Sequence, residues 1–184
     1  MRPITDAERE VLDLFLSVEF DGVGAFRKQA MHILGVEPDC ICGCPSIRFH
    51  VDRAKAPAAP EFCLMPTEVE ELARPAGVPS SVLCLVDKEG YLASLECVYY
   101  DGIVTEWPDT DRCAVILRDT GRKMTSVLLP SGALVRPDDE EDPWASLGRP
   151  AWDSQQRPAR AGLRHIAPAG SWSRGLGRRR AVII

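Results

Sequence analysis

The hydrophobic residues of this chain change their spacing once, and that change limits the folds it can adopt. Up to about residue 33, apolar residues recur every three or four positions, which is the period of an amphipathic helix. In SIRFHVD, at 46–52, apolar and polar residues alternate strictly, which is the period of a half-buried strand. A run of helices followed by a run of strands indicates an α+β fold.

Two helices are predicted before the change. Thr5 and Glu8 have the capping-box spacing, and the apolar residues that follow them predict a helix over 5–17. Asp21 is the expected N-cap of a second helix over 22–32. Because few residues separate the two, we expect an αα-hairpin.

Short segments after residue 46 predict a mostly antiparallel sheet of about five strands. The first two strands are expected at 46–52 and 61–65. The stretch 66–81 contains several prolines and predicts a connection with one helical turn around Val69–Leu72. The segments VLCLVD and YLASLECVYY, joined by KEG, predict a β-hairpin.

The alternation also assigns side chains to the core, because successive strand residues point to opposite faces of a sheet. We expect the two helices to pack on one face of the sheet. The residues expected to face the core are Ile47, Phe49, Val51, Leu95 and Cys97.

These elements predict one α+β domain over 1–118. Residues 119–136 are a candidate further hairpin, since TGR separates RCAVILRD from KMTSVLLP. From 137 onward an acidic block is followed by a segment rich in Pro, Gly and Arg without a sustained period. That composition predicts a disordered tail over 137–184.

The segment CICGCPS, at 40–46, is the least ordinary part of the chain. Its C-x-C-x-C spacing differs from the C-x-x-C spacing of common zinc sites. Gly43 suits a positive φ angle, and Pro45 suits the start of a strand. We therefore interpret the segment mainly as a turn that starts the first strand and needs no cofactor.

The alternative interpretation is a structural zinc or other thiol-metal site, because thiolates are the ligands that such ions prefer. Cys40, Cys42, Cys44 and His50 would then be the ligands. Other candidates for a fourth ligand are Cys63, Cys84 and Cys97. A reactive or redox thiol in the same segment is a further alternative.

A second candidate site lies in LECVYYDGIVTEWPD, at 95–109, where acidic and aromatic residues are adjacent. Aromatic side chains are enriched at protein interfaces. Glu96, Tyr100, Asp101 and Trp107 therefore predict a protein-binding surface. On this basis the first functional hypothesis is a non-catalytic module that binds an unidentified protein, in the manner of an immunity protein or antitoxin.

Composition excludes some classes of function and compartment. A net charge of −5 argues against nucleic acid as a partner, because phosphate binding needs clustered Lys and Arg. No apolar run approaches the ~20 residues that span a bilayer, and MRPITDAERE has acidic residues and no apolar segment, so a signal sequence is not expected. We expect a cytoplasmic protein without membrane contact, whose cysteines are reduced. No catalytic motif is recognisable, so an enzyme is not expected.

Residues 5–110 resemble a family of small uncharacterised actinobacterial proteins. The resemblance rests on two helices, a CxCGCPS segment before the strand IRFHVD, and the hairpin segment YLASLECVYYDG followed by EWP. It implies an α+β domain but no reaction and no residue roles, and the segment after it does not share the resemblance.

Overall fold

The computed structural model describes residues 1–60, 64–72, 81–99, 104–119 and 123–136. They form two helices and a sheet of eight strands in which every neighbouring pair is antiparallel. The α+β class is therefore confirmed, although the sheet has more than the five strands expected. The tail predicted at 137–184 lies outside the described residues.

The helices are α1 (Asp6–Phe15) and α2 (Val23–Met31). The strands are β1 (Ile33–Pro38), β2 (Ile47–Val51), β3 (Leu64–Glu71), β4 (Ser81–Val86), β5 (Leu92–Val98), β6 (Cys113–Arg118), β7 (Met124–Leu128) and β8 (Leu134–Val135). Across the sheet the strand order is β1-β2-β5-β4-β3-β6-β7-β8. The sheet thus continues beyond residue 118, through the hairpin of β6 and β7.

The capping box of α1 forms as the sequence predicts. Thr5 Oγ1 accepts from the backbone N–H of Glu8 at 3.3 Å, and Glu8 Oε2 accepts from the N–H of Thr5 at 2.8 Å. The start of α2 differs from its prediction, because Gly22 rather than Asp21 is the N-cap. Gly22 has a φ of 86°, and this left-handed conformation turns the chain into the helix without a side-chain cap.

Strand β1 was not predicted, because Ile33 continues the apolar spacing of α2. In the structure Ile33 begins a strand that pairs with β2, with Val36 opposite Phe49. The backbone of Arg2 adds to the other side of β1 through hydrogen bonds of 2.9 and 2.8 Å with Val36. Pairing on both sides therefore decides the conformation of this segment.

The prediction for 66–81 was wrong over its first part, because a strand replaces the helical turn around Val69–Leu72. Strand β3 lies between β4 and β6, and every second residue from Met65 to Glu71 is buried. Two of these buried residues, Thr67 and Glu71, are polar. Because these two residues are polar, the alternation typical of a strand was not recognisable in the sequence. Pairing with β4 and β6 supplies the backbone hydrogen bonds that stabilise β3.

One cluster of buried side chains contains residues from both helices and from β1 to β6. Ile47, Phe49, Leu95 and Cys97 are buried, and Val51 is partly buried against this cluster, so the expected core positions are confirmed. Neither described helix has the length and apolar character needed to cross a bilayer.

Candidate metal centre

The cysteine segment is the loop that joins β1 to β2. The two strands pair as far as Pro38 and Ile47, and beyond that pair the N–H of Asp39 donates to Ser46 O at 3.0 Å. Gly43 has a φ of 89°, in agreement with the sequence, and this left-handed residue reverses the chain. The hairpin therefore holds both ends of the loop in place.

Within this loop the three thiols converge. The Sγ atoms of Cys40, Cys42 and Cys44 all lie within 4.8 Å of one another, and those of Cys40 and Cys44 are 2.9 Å apart. In an extended strand, residues four positions apart would be separated by about 13 Å. The reversal of the chain, rather than the spacing of the cysteines, therefore brings the sulfurs together.

Polar groups of the loop, of β5 and of the residue that follows β5 contact the thiols or their hydrogen-bond partners. The backbone N–H of Cys44 donates to Cys42 Sγ at 3.4 Å, and the hydroxyl of Tyr99 lies 3.9 Å from the same sulfur. Cys44 Sγ donates to Ser46 Oγ at 3.2 Å, and Ser46 Oγ also accepts from the N–H of Cys97 at 3.0 Å. The buried hydroxyl of Ser46 thus connects the cysteine loop to the neighbouring strand.

These contacts give the thiols of Cys40 and Cys42 different pKa values. The pKa of Cys42 is lowered to about 6, first by the hydrogen bond from Cys40 Sγ and then by the backbone N–H of Cys44. The pKa of Cys40 is raised to about 11, because its thiol proton is held in hydrogen bonds with Cys42 and Cys44. The hydrogen bond to Cys42 also raises the pKa of Tyr99. Cys42 therefore loses its proton more readily than Cys40.

The cysteine loop borders a cleft of about 350 Å³. Cys40, Cys42 and Cys44 line it, as do Glu96 and Cys97 of β5 and Tyr99, which follows β5. Cys40 and Cys42 are exposed and Cys44 is partly buried. An ion or small molecule from solvent can therefore reach the sulfurs directly.

His50, which the metal hypothesis included, lies apart from this cluster. Its Nε2 atom is 3.2 Å from Glu37 Oε1, on the neighbouring strand β1. Among the described residues, the ligand atoms that converge are those of the three cysteines and do not include His50. The structure thus brings together three of the four proposed metal ligands.

The other cysteines that could complete a metal site have different surroundings. Cys84 is completely buried in the core, and desolvation raises the pKa of its thiol. Cys97 is buried but lines the same cleft as the three converging cysteines. Cys63 lies outside the described residues.

The residues of the predicted protein-binding surface are only partly described. Glu96 lines the cleft beside the cysteines, whereas Trp107 is partly buried against the main core cluster. Tyr100 and Asp101 lie outside the described residues. The protein-binding surface therefore stays a prediction.

Two residues of the candidate centre were missed in the sequence. Tyr99 is on the same strand face as Cys97 by alternation, but no local pattern connects it to Cys42. Ser46 was assigned only to the polar face of a strand, although its hydroxyl is buried between Cys44 and Cys97. Both contacts depend on the pairing of β2 with β5.

No protein-family model, curated protein or solved structure matches this chain. The resemblance to a family of small proteins therefore stays an expectation, and the function has to be inferred from the chemistry of the site.

Proposed function

We propose that this protein binds a thiophilic metal ion, with zinc as the first candidate, through the thiolates of Cys40, Cys42 and Cys44. The observation that carries the proposal is the convergence of three sulfur atoms to within 4.8 Å of one another in one loop. Thiolates are the ligands that zinc and copper(I) favour in proteins.

The distances are close to those that an ion requires. Zinc–sulfur bonds of about 2.3 Å at tetrahedral angles place two sulfur ligands about 3.8 Å apart. The present sulfurs are within 4.8 Å of one another, with Cys40 and Cys44 at 2.9 Å. Cys40 and Cys42 are exposed, so rotation of their side chains can make up these differences without a change in the core.

The neighbouring donors suit a metal-bound thiolate. Hydrogen bonds from backbone N–H groups and hydroxyls to a ligand sulfur orient it and stabilise its negative charge. The N–H of Cys44 and the hydroxyl of Tyr99 both approach Cys42 Sγ. Cys42 is therefore the ligand whose loss should weaken metal binding most.

Three cysteines leave one position of a tetrahedral ion to a further ligand. A structural zinc site usually has four protein ligands, whereas a site with three keeps a position for water or another molecule. This position would be filled from the cleft, which Asp39, Glu96 and Cys97 also line. A site with three cysteine ligands and one position open to the cleft thus favours an ion that can exchange with ions in solution.

The proposal is tested by metal analysis of the full chain, reduced and loaded with zinc under anaerobic conditions. We expect one equivalent of zinc after gel filtration, and a thiolate-to-metal charge-transfer band when cobalt(II) replaces zinc. Cys42→Ser should lose both signals. Ile41→Ser is the matched control, because Ile41 lies in the same loop, is fully exposed and has no ligand atom.

Absence of zinc from the reduced wild-type chain would overturn the proposal. Equal zinc content in the wild type and Cys42→Ser would also overturn it, since the metal would then be bound elsewhere.

A further inference from the structure

The closest pair of thiols in the loop is arranged for a second kind of chemistry. Cys40 Sγ and Cys44 Sγ are 2.9 Å apart, about 0.9 Å longer than a disulfide bond. A closure of about 0.9 Å would bring the two sulfurs to bonding distance. The third thiol, Cys42, lies between them in the chain and is exposed to solvent.

The backbone of the loop can accommodate the ring that such a bond would close. Gly43 is left-handed, and among the described residues no atom outside its two chain neighbours lies within 4 Å of the position a Cβ would take there. The paired ends at Pro38 and Ile47 anchor the loop independently of its tip. Closing a bond between Cys40 and Cys44 therefore need not disturb the sheet.

The cysteines also differ in how easily an oxidant in solution can reach them. Cys40 is exposed and Cys44 is partly buried, whereas Cys84, Cys97 and Cys113 are buried. Among the described residues, an oxidant in solution thus meets the thiols of the loop first. Cysteines that oxidise reversibly are solvent-accessible and often lie next to a second cysteine that resolves the sulfenic acid.

Building on the metal site proposed above, we propose that Cys40 and Cys44 form a redox pair, which a hydroperoxide oxidises to a disulfide with release of the metal ion. The disulfide removes two of the three thiolate ligands. Cys42 is then the last of the three cysteine ligands, and a single thiolate does not retain zinc against water. Metal occupancy of this site would thereby depend on the redox state of its surroundings.

The reaction balances with the hydroperoxide as the oxidant. One sulfur of the pair attacks a peroxide oxygen, the O–O bond breaks, and a sulfenic acid and one water form when hydrogen peroxide is used. The other sulfur attacks the sulfenic sulfur, the S–S bond forms, the S–O bond breaks, and a second water leaves. Two electrons pass from the pair to the peroxide. When metal is bound, the ion leaves with its charge unchanged and solvent supplies the two protons.

The pairing is tested first on the metal-free, reduced full chain, so that it does not depend on metal binding. After treatment with hydrogen peroxide, free thiols are alkylated and the tryptic peptide 29–48, which contains all three loop cysteines, is fragmented in a mass spectrometer. We expect a peptide that carries one alkyl group, on Cys42, and that is two hydrogens lighter than the same singly alkylated peptide with two free thiols. Dithiothreitol should reverse the change.

Variants separate this pair from the other pairings in the loop. Cys42→Ser should still form the intramolecular bridge, whereas Cys40→Ser and Cys44→Ser should lose it. Ile41→Ser should behave as the wild type. A bridge that includes Cys42, or the absence of a bridge within the peptide, would overturn the inference.

The second arm uses the zinc-loaded chain and a chromophoric zinc indicator. Peroxide should release zinc in proportion to the disulfide formed. A reduced chain that binds zinc but forms no bridge between Cys40 and Cys44 would overturn this inference and leave the proposed function standing. A chain that forms the bridge without ever binding zinc would overturn the proposed function and the release step together.

Discussion

The side chain of Gln29 in α2 accepts a hydrogen bond from the backbone N–H of Leu92, at the start of β5, with Oε1 and N 2.9 Å apart. Its Nε2 atom donates to the carbonyl oxygens of Pro57 and Gly90, each at 2.8 Å. Gln29 is completely buried, and all three bonds are to backbone atoms distant in sequence. One polar side chain thus joins α2, the loop after β2 and the β4–β5 hairpin.

Replacing Gln29 with Met should destabilise the protein by about 2–4 kcal/mol. Met has nearly the same length, so the loss comes from buried backbone groups left without partners rather than from a cavity. The free energy of unfolding in urea measures the effect. Lys28→Met is the control, because Lys28 is exposed on the same helix, and it should change stability by less than about 0.5 kcal/mol. Equal effects of the two substitutions would mean that these bonds contribute nothing.

Gly90→Ala should be more damaging than Gly43→Ala. Both glycines have positive φ angles, which cost an L-residue about 1–2 kcal/mol. A Cβ at Gly90 would also lie 2.3 Å from the carbonyl oxygen of Ala59, whereas a Cβ at Gly43 would have no described atom within 4 Å apart from those of its chain neighbours. Thermal and urea unfolding of the two variants tests this order, and the reverse order would contradict it.

Gly43→Val should destabilise the metal-free protein more than Cys40→Ala. A β-branched residue is strained at a φ of 89°, whereas Cys40 is exposed and contributes little packing. Urea unfolding in the presence of a chelator and a reductant measures both variants. A larger loss from Cys40→Ala would show that thiol contacts, rather than the turn, hold the loop in place.

Phe49→Ala should cost about 3–5 kcal/mol, as a large-to-small change in a packed core. Phe49 is buried in the main core cluster, whereas Arg48 beside it is exposed and pairs with Asp39 at the surface. Arg48→Ala is therefore the control, with an expected loss of about 0–1 kcal/mol. A loss below about 1 kcal/mol for Phe49→Ala would contradict the assignment of this face to the core.

Acid should destabilise the protein partly through Glu8. Burial disfavours the charged form of this carboxyl group, but hydrogen bonds from Arg2 and Thr5 outweigh it and hold its pKa below the usual range. A lowered pKa stabilises the fold above the unfolded-state value of about 4.3, and that contribution is lost as the pH falls through the folded-state pKa.

Glu8→Gln should therefore destabilise the protein at pH 7, and the difference from the wild type should shrink toward pH 3. Urea unfolding across this range measures the difference, with exposed Glu10→Gln as the control. A difference that stays constant with pH would exclude the role given to the carboxylate.

Zinc should raise the melting temperature of the reduced wild type, and a chelator should remove the increase. A ligand that binds only the folded state at 100 times its Kd adds about 2.7 kcal/mol of stability. Differential scanning calorimetry with and without chelator measures the shift, and Cys42→Ser should show none. A chelator effect of the same size in both proteins would place the stabilising metal elsewhere.

The sequence by itself determined the elements whose cause is local. The capping box of Thr5 and Glu8 formed because its partners are three residues apart. The alternation of Ile47 and Phe49 placed β2 with the correct face toward the core, since the period of a strand requires no partner to recognise it. The positive φ of Gly43 was likewise readable, because only glycine adopts it without strain.

The tertiary structure decided what depends on distant partners. Strand β3 was not recognisable because Thr67 and Glu71 are buried polar residues, and only pairing with β4 and β6 offsets the cost of ordering them. The same holds at the cysteine loop, where Tyr99 reaches Cys42 only because β5 pairs with β2. The spacing of the cysteines predicted only a turn. The path of the backbone through that turn brings the three sulfurs together. His50 lies outside the turn, beside Glu37 on the neighbouring strand.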